Sequence, residues 1–297
     1  MDELLNAWGV RARDVRPVAE GTNNAGYYIG DEFVLRIHRN TTAPDYEHAV
    51  LRALGGLSFG VPVPLPAEDG STVVRRELDG EVVTASLSRL IPGEHPRRGD
   101  VVRAEACGAA LAELDEALAR LDRRALPPRN EWDRDLTKVH RRVPYLGELL
   151  AILDKAEQVA RIFAVVQRVR ELPRSIIHAD FGPTNVLMDG ARVTAILDFE
   201  AVGPGYRAMD LAIGLWSFGQ YDEAAADAFR RGYVARLPLT EAELNDVPDL
   251  QLLREASSLV HWYGRHLDGL TTAADINARA DRLLRLEHEL RTAARQP

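Results

Sequence analysis

The stretch that most constrains this 297-residue chain runs from Ser175 to Glu200. Two apolar runs, Val186 to Met188 and Val193 to Leu197, flank Asp189-Gly190, a dipeptide that favours a tight hairpin turn. A hairpin brings its open ends together, and those ends are Asn185 and Asp198. A carboxamide and a carboxylate thereby become neighbours, two hard oxygen donors of the kind that hold Mg²⁺ beside substrate phosphates. His178 and Asp180 lie just upstream, giving H-x-D-x-x-x-x-N, and Asp198-Phe199-Glu200 follows the second strand. A carboxylate at Asp180 is placed to orient a hydroxyl and accept its proton during phosphoryl transfer. An ordinary surface hairpin has no need of these four groups at these offsets.

The character of the chain changes near Pro92-Gly93. Before it, short β-rich runs alternate with turns. Val15 to Glu20, Tyr27 to Ile29 and Phe33 to Ile37 read as strands, with Phe33, Leu35 and Ile37 on one face and Val34, Arg36 and His38 on the other. A helix follows, marked by Tyr46, Ala49, Val50, Ala53 and Leu54 and ended by Gly55-Gly56. Prolines make Val61 to Pro66 a loop, and Asp79-Gly80 joins strands at Val73 to Leu78 and Val82 to Leu90. After Pro92 the pattern is mostly helical: a stripe from Cys107 to Leu121, then Leu146 to Val169 and Gln251 to Leu267. The expected architecture is α+β and two-lobed, with a β-rich N-terminal lobe over 1–91, a hinge near 88–93 and a larger helical lobe over 92–297.

Composition narrows the function classes. A net charge of -8 argues against nucleic acid, whose phosphates need a basic surface. The single cysteine, Cys107, cannot form an internal disulfide and reads as a small buried hydrophobe. No basic stretch precedes an apolar run at the N-terminus, and no apolar run approaches the ~20 residues of a spanning helix. The expected location is therefore the cytoplasm, with no membrane partner. Nothing in the sequence sets the oligomeric state.

Gly21 to Gly26 reads Gly-Thr-Asn-Asn-Ala-Gly between two strands. Such small residues, among them Gly21, Thr22, Asn23 and Asn24, let backbone N–H groups approach a phosphate, although a plain hairpin loop reads the same way.

Taken in order along nearly the whole chain, these features resemble the aminoglycoside phosphotransferase/choline kinase family, relatives of protein kinases. The resemblance is strongest at His178, Asp180, Asn185, Asp198 and the stretch ending in Asp210-Leu211-Ala212. It implies a protein-kinase-like fold, ATP as phosphoryl donor and Mg²⁺ as cofactor. It implies Asp180 as catalytic base, Asn185 and Asp198 as metal ligands, His178 as a buttress of the catalytic loop, and Asp210 as a buried acceptor for that loop's backbone N–H groups. The family's phosphate-clamping lysine is missing, and the third strand offers Arg36 instead, with Glu47 on the next helix as its partner. Adenine is expected against the hinge near Leu90 and Ile91. In the family, C-terminal helices help to form the acceptor pocket, which makes Glu255, His261, Tyr263 and Arg265, together with Glu200, candidates to line it.

The expected partner is a small-molecule hydroxyl acceptor, because the short spacing from Asp198 to Asp210 leaves little room for a protein-substrate platform. An aminoglycoside-like or other antibiotic leads. A metabolic acceptor such as homoserine or choline is the alternative, since Tyr27-Tyr28-Ile29 resembles the type II homoserine kinase branch. A catalytically silent nucleotide-binding module is a third reading, favoured only by the arginine at position 36.

Overall fold

An antiparallel run of short strands sets the architecture of the N-terminal part. The computed structural model describes residues 1–11, 14–18, 24–38, 44–78, 80–97, 99–168, 170–219 and 222–293. A short helix α1 (Asp2–Leu5) precedes strands β1 (Val15–Pro17), β2 (Ala25–Ile29) and β3 (Phe33–His38). Helix α2 (Asp45–Ala53) and strands β4 (Val74–Leu78) and β5 (Glu81–Arg89) complete an antiparallel sheet of order β1-β2-β3-β5-β4. Ala19 and Glu20, expected to end the first strand, and Asp79 of the expected turn lie outside the described residues. Leu35 pairs with Leu87, and both are fully buried with Leu4, Leu5, Ile29 and Val74. The opposite face carries Arg36, paired with Ser86, and His38, whose ring meets that of His48 on α2 edge to face. The face assignment made from the two-residue period therefore holds.

The rest is helix-rich. Helix α3 (Val101–Ala119) starts at Asp100, whose carboxylate accepts from the Arg103 N–H at 3.1 Å and caps the first turn. The single helix expected from Leu146 to Val169 is instead two, α4 (Leu146–Ala151) and α5 (Ala156–Val166). At the break the Asp154 N–H bonds the side chain of Asn277, on a distant helix, rather than a carbonyl one turn back. Strand β6 (Arg174–Ile177) leads to the hairpin β7 (Val186–Asp189) and β8 (Arg192–Ile196), with Gly190 at φ 61 in the turn. Strand β9 (Gly203–Tyr206) returns to pair with β6, a pairing the sequence did not announce.

Helices α6 (Met209–Gly219), α7 (Glu223–Arg236), α8 (Glu241–Leu267) and α9 (Ala273–Ala293) follow. Helix α8 starts ten residues before the expected Gln251, at a capping box between Thr240 and Glu243. Helices α3 and α7 cross backbone to backbone, where a Cβ at Gly108 would collide with the Phe229 carbonyl oxygen. Cys107 is buried in this core, and burial pushes its thiol up to about 12, which leaves it inert. These findings make an α+β fold with an N-terminal sheet and a larger helical part. Among the described residues no helix is long and apolar enough to cross a membrane.

Candidate active site

The hairpin does to its flanks what its geometry requires. The Leu197 N–H donates to the Asn185 carbonyl oxygen at 2.8 Å, so the residue before Asp198 is the ladder partner of Asn185. The Asn185 amide nitrogen donates to the Asp180 backbone oxygen at 2.8 Å, leaving its carboxamide oxygen as the donor available to a cation. Asp198 sits at φ 60, a left-handed conformation that costs a non-glycine residue ~1–3 kcal/mol and persists only where the surroundings impose it.

Two buried supports hold the loop before the hairpin. Both oxygens of Asp210, at the start of α6, accept backbone N–H groups, from His178 at 2.6 Å and Ala179 at 2.7 Å. Ala179 has φ 67, and these bonds fasten it in that conformation. His178 is fully buried. Its Nε2 bonds the Leu197 carbonyl at 3.0 Å, its Nδ1 accepts from the Asp180 N–H at 3.3 Å, and its ring meets Phe199 edge to face. That pattern sets one tautomer and ties the loop to the far end of the hairpin.

The sheet reaches the same point from the other side. Arg36 Nη1 bonds Glu47 at 2.7 Å and its Nη2 bonds Asp198 at 2.6 Å. Burial acts to lower the Arg36 pKa, but attraction from Glu47, Asp198 and Glu200 outweighs it, and the guanidinium stays above its ordinary range. Asn24 donates to Glu200 at 2.9 Å, which joins the loop after β1 to the segment after the hairpin. Gly21, Thr22 and Asn23 lie outside the described residues. Leu90 and Ile91 follow β5 directly: the Leu90 N–H bonds Glu32, and the Ile91 side chain reaches Gly60, which is bridged to Ala195 of β8.

On the remaining side, α8 supplies a residue that the sequence reading passed over. Arg254 Nη2 bonds Asp180 Oδ1 at 2.6 Å. At 3.6 residues per turn, His261 and Arg265 fall on the same stripe as Arg254, with Arg265 ~16 Å further along the axis. Burial first, then His140 and Arg254, lowers His261 to about 4, so it is neutral at pH 7. Tyr263 is on the opposite face, buried in the helical core, and does not reach the cleft. Glu255 is buried and faces Arg282 of α9, 2.8 Å from its Nε. Arg282 lies over the Trp216 ring, and both line a cleft of about 120 Å³ with Asp180, Asn185 and Ser217. The missed signal was the heptad spacing of Arg254 and His261, one residue ahead of the chosen Glu255.

The described residues contain no cluster of three or more His, Cys, Asp or Glu able to hold a metal. The carboxamide oxygen of Asn185 and the carboxylate of Asp198 are hard oxygen donors of the kind that Mg²⁺ combines with water and phosphate ligands.

A family model described as the phosphotransferase enzyme family matches residues 14–244. A homoserine kinase of Pseudomonas aeruginosa is 31% identical over 96% of this chain and 90% of its own length. A homoserine kinase of Gluconacetobacter diazotrophicus is 33% identical over 79% of this chain and 76% of its own. Among solved structures, an amicoumacin kinase in complex with AMP-PNP, Ca²⁺ and Ami superposes with a TM-score of 0.72 at 17% identity, covering 97% of this chain and 91% of that one. A microcompartment-associated aminopropanol kinase superposes with a TM-score of 0.71 at 21% identity, covering 98% and 97%. At these identities the two structures establish the protein-kinase-like fold.

Proposed function

We propose that this chain, which belongs to the phosphotransferase enzyme family, is a metabolic kinase. It would move the γ-phosphoryl group of ATP to the hydroxyl of a small, carboxylate-bearing amino alcohol of the homoserine class. A small-molecule kinase with an alcohol acceptor follows from the family and its homoserine kinase relatives. The silent-module reading gives way to it.

The observation that carries the acceptor class is the pair of arginines at the cleft. Arg254 bonds Asp180 at 2.6 Å, and Arg282 lines the same cleft. Guanidinium groups recognise carboxylates through their planar fork and repel polycations. The homoserine kinase relatives, more than this charge pattern, point away from an aminoglycoside-like acceptor, the leading expectation from sequence.

Each residue has its own task in this reaction. Asp180 accepts the hydroxyl proton and aims the oxygen at the γ-phosphorus. His178 and Asp210 hold its loop. Arg36, oriented by Glu47, binds phosphate oxygens, and Leu90 and Ile91 lie where adenine would rest between the 1–91 and 92–297 lobes. Asn185 and Asp198 would hold Mg²⁺, whose contribution when bound is to neutralise phosphate charge. Arg254 exchanges Asp180 for the acceptor carboxylate, which frees an Asp180 oxygen for the hydroxyl. Glu255, His261 and Arg265 support that side without touching the reacting atoms. A cytoplasmic site of action fits this ATP-dependent chemistry.

The test is ADP release with MgATP against homoserine, aminopropanol, choline and kanamycin. Turnover with homoserine supports the reading. Turnover with kanamycin and none with homoserine would return the antibiotic reading to first place.

A further inference from the structure

Beneath the catalytic loop two buried carboxyl groups meet. Asp115 on α3 is 3% exposed and Asp210 is fully buried, and their side chains are in hydrogen-bonding contact. The two oxygens of Asp210 already accept the backbone N–H groups of His178 and Ala179, an arrangement that suits an ionised carboxylate. Asp115 Oδ2 accepts from the Tyr233 hydroxyl at 2.6 Å, whereas its Oδ1 is buried and accepts from no donor among the described residues. Arg207 is the cation that acts on Asp115, and its fork is engaged by Glu243 at 2.8 and 2.6 Å. The other ionisable neighbours are Tyr233 and His178.

As two anions this pair would be doubly penalised, by desolvation and by unscreened repulsion. One shared proton removes the repulsion and the desolvation of one of the two charges, as it does for carboxylate dyads generally. The proton belongs on Asp115, because Asp210 is saturated with donors and Asp115 has the orphaned oxygen. We propose that Asp115 is a neutral carboxylic acid whose Oδ1–H donates to Asp210, and that this acid–carboxylate bond positions the loop carrying Asp180. The contacts then run unbroken from Tyr233 on α7 through Asp115 and Asp210 to the backbone of His178 and Ala179. Burial pushes both carboxyls up, and Asp115, on which Asp210 acts next, is pushed well above the usual carboxylate range. Asp115 is thus a positioning residue. The positioning claim rests on Asp180 as the base; the protonation claim does not.

Two substitutions and one spectrum test it. Asp115→Asn offers Asp210 an amide N–H and Tyr233 a carbonyl, so it replaces the acid without a titrating group. Its kcat should stay within about threefold of wild type, whereas Asp115→Leu should lower kcat about tenfold or more with the MgATP dissociation constant unchanged, the signature of a displaced catalytic group. Difference infrared spectroscopy of wild type minus Asp115→Asn at pH 7 should show the carbonyl stretch of a buried protonated carboxylic acid. Absence of that band overturns the protonation claim even if Asp115→Leu does not fold. Undiminished kcat in folded Asp115→Leu, or equal losses in Asp115→Asn and Asp115→Leu, overturns the positioning claim.

Discussion

Arg254 Nη2 stands 2.6 Å from Asp180 Oδ1, so the proposed base meets a guanidinium from α8 before any substrate is bound. A hydrogen bond to a charged group contributes ~1.5–3 kcal/mol, and the acceptor carboxylate is expected to inherit this one. Arg254→Gln should therefore raise the acceptor KM by about 10- to 100-fold and leave the MgATP KM unchanged. Steady-state kinetics with each substrate varied in turn would show it. Equal effects on both KM values would place Arg254 in folding rather than recognition.

Arg36 uses two nitrogens on two partners, Glu47 at 2.7 Å and Asp198 at 2.6 Å. Lysine is a point charge on a flexible stem and cannot span both with the same fork. Arg36→Lys is expected to lower kcat/KM for ATP by about tenfold, and Arg36→Met to lower it further. Full activity in Arg36→Lys would mean that only the charge matters.

The metal site has a signature of its own. Asp198→Asn removes a formal charge from the proposed Mg²⁺ pair while keeping an oxygen donor. Isothermal titration with an ATP analogue should show affinity that no longer rises with added Mg²⁺. Unaltered Mg²⁺ dependence would remove Asp198 from that role.

How much of this was legible depended on sequence distance. The hairpin around Asp189-Gly190 was readable because turn chemistry and strand pattern sit within a dozen residues, and the ladder bond from Leu197 to Asn185 follows from them. The two faces of β3 were readable because strand side chains alternate. The pairing of β6 with β9 was not, since it joins segments separated by the hairpin and is fixed by tertiary packing. The break between α4 and α5 was hidden because an apolar period cannot reveal that Asn277, more than a hundred residues on, takes the Asp154 N–H. Arg254 and Arg282 escaped notice because an arginine on a helix ordinarily reads as a solvated face. Only the fold shows that Arg254 meets Asp180, 74 positions away.

The sheet end of the molecule should be acid-sensitive. His48 is 3% exposed, its Nδ1 is 2.9 Å from the Thr72 hydroxyl, and burial followed by Arg36 lowers it to about 4. Because the folded pKa lies below the unfolded value near 6.5, the unfolded chain binds more protons between those limits. The contribution of His48 is therefore complete above pH 6.5 and is lost as pH falls toward 4, on the order of 3 kcal/mol in all. His38, lowered to about 3 chiefly by burial, acts in the same direction. Thermal denaturation from pH 7 to pH 4.5 should show a falling Tm, with a smaller fall in His48→Gln. An equal fall in the variant would assign the sensitivity elsewhere.

Asp180→Asn tests the central claim most directly. Asparagine keeps the shape and can still be held by Asn185 and Arg254, but it cannot take a proton. Proton transfer by a positioned side chain contributes ~10²–10⁴-fold to rate. With MgATP and the accepted amino alcohol, kcat should fall by about that factor while the MgATP dissociation constant stays within about twofold. A kcat equal to wild type, in a variant that binds MgATP normally, would contradict the assignment of Asp180 as the base.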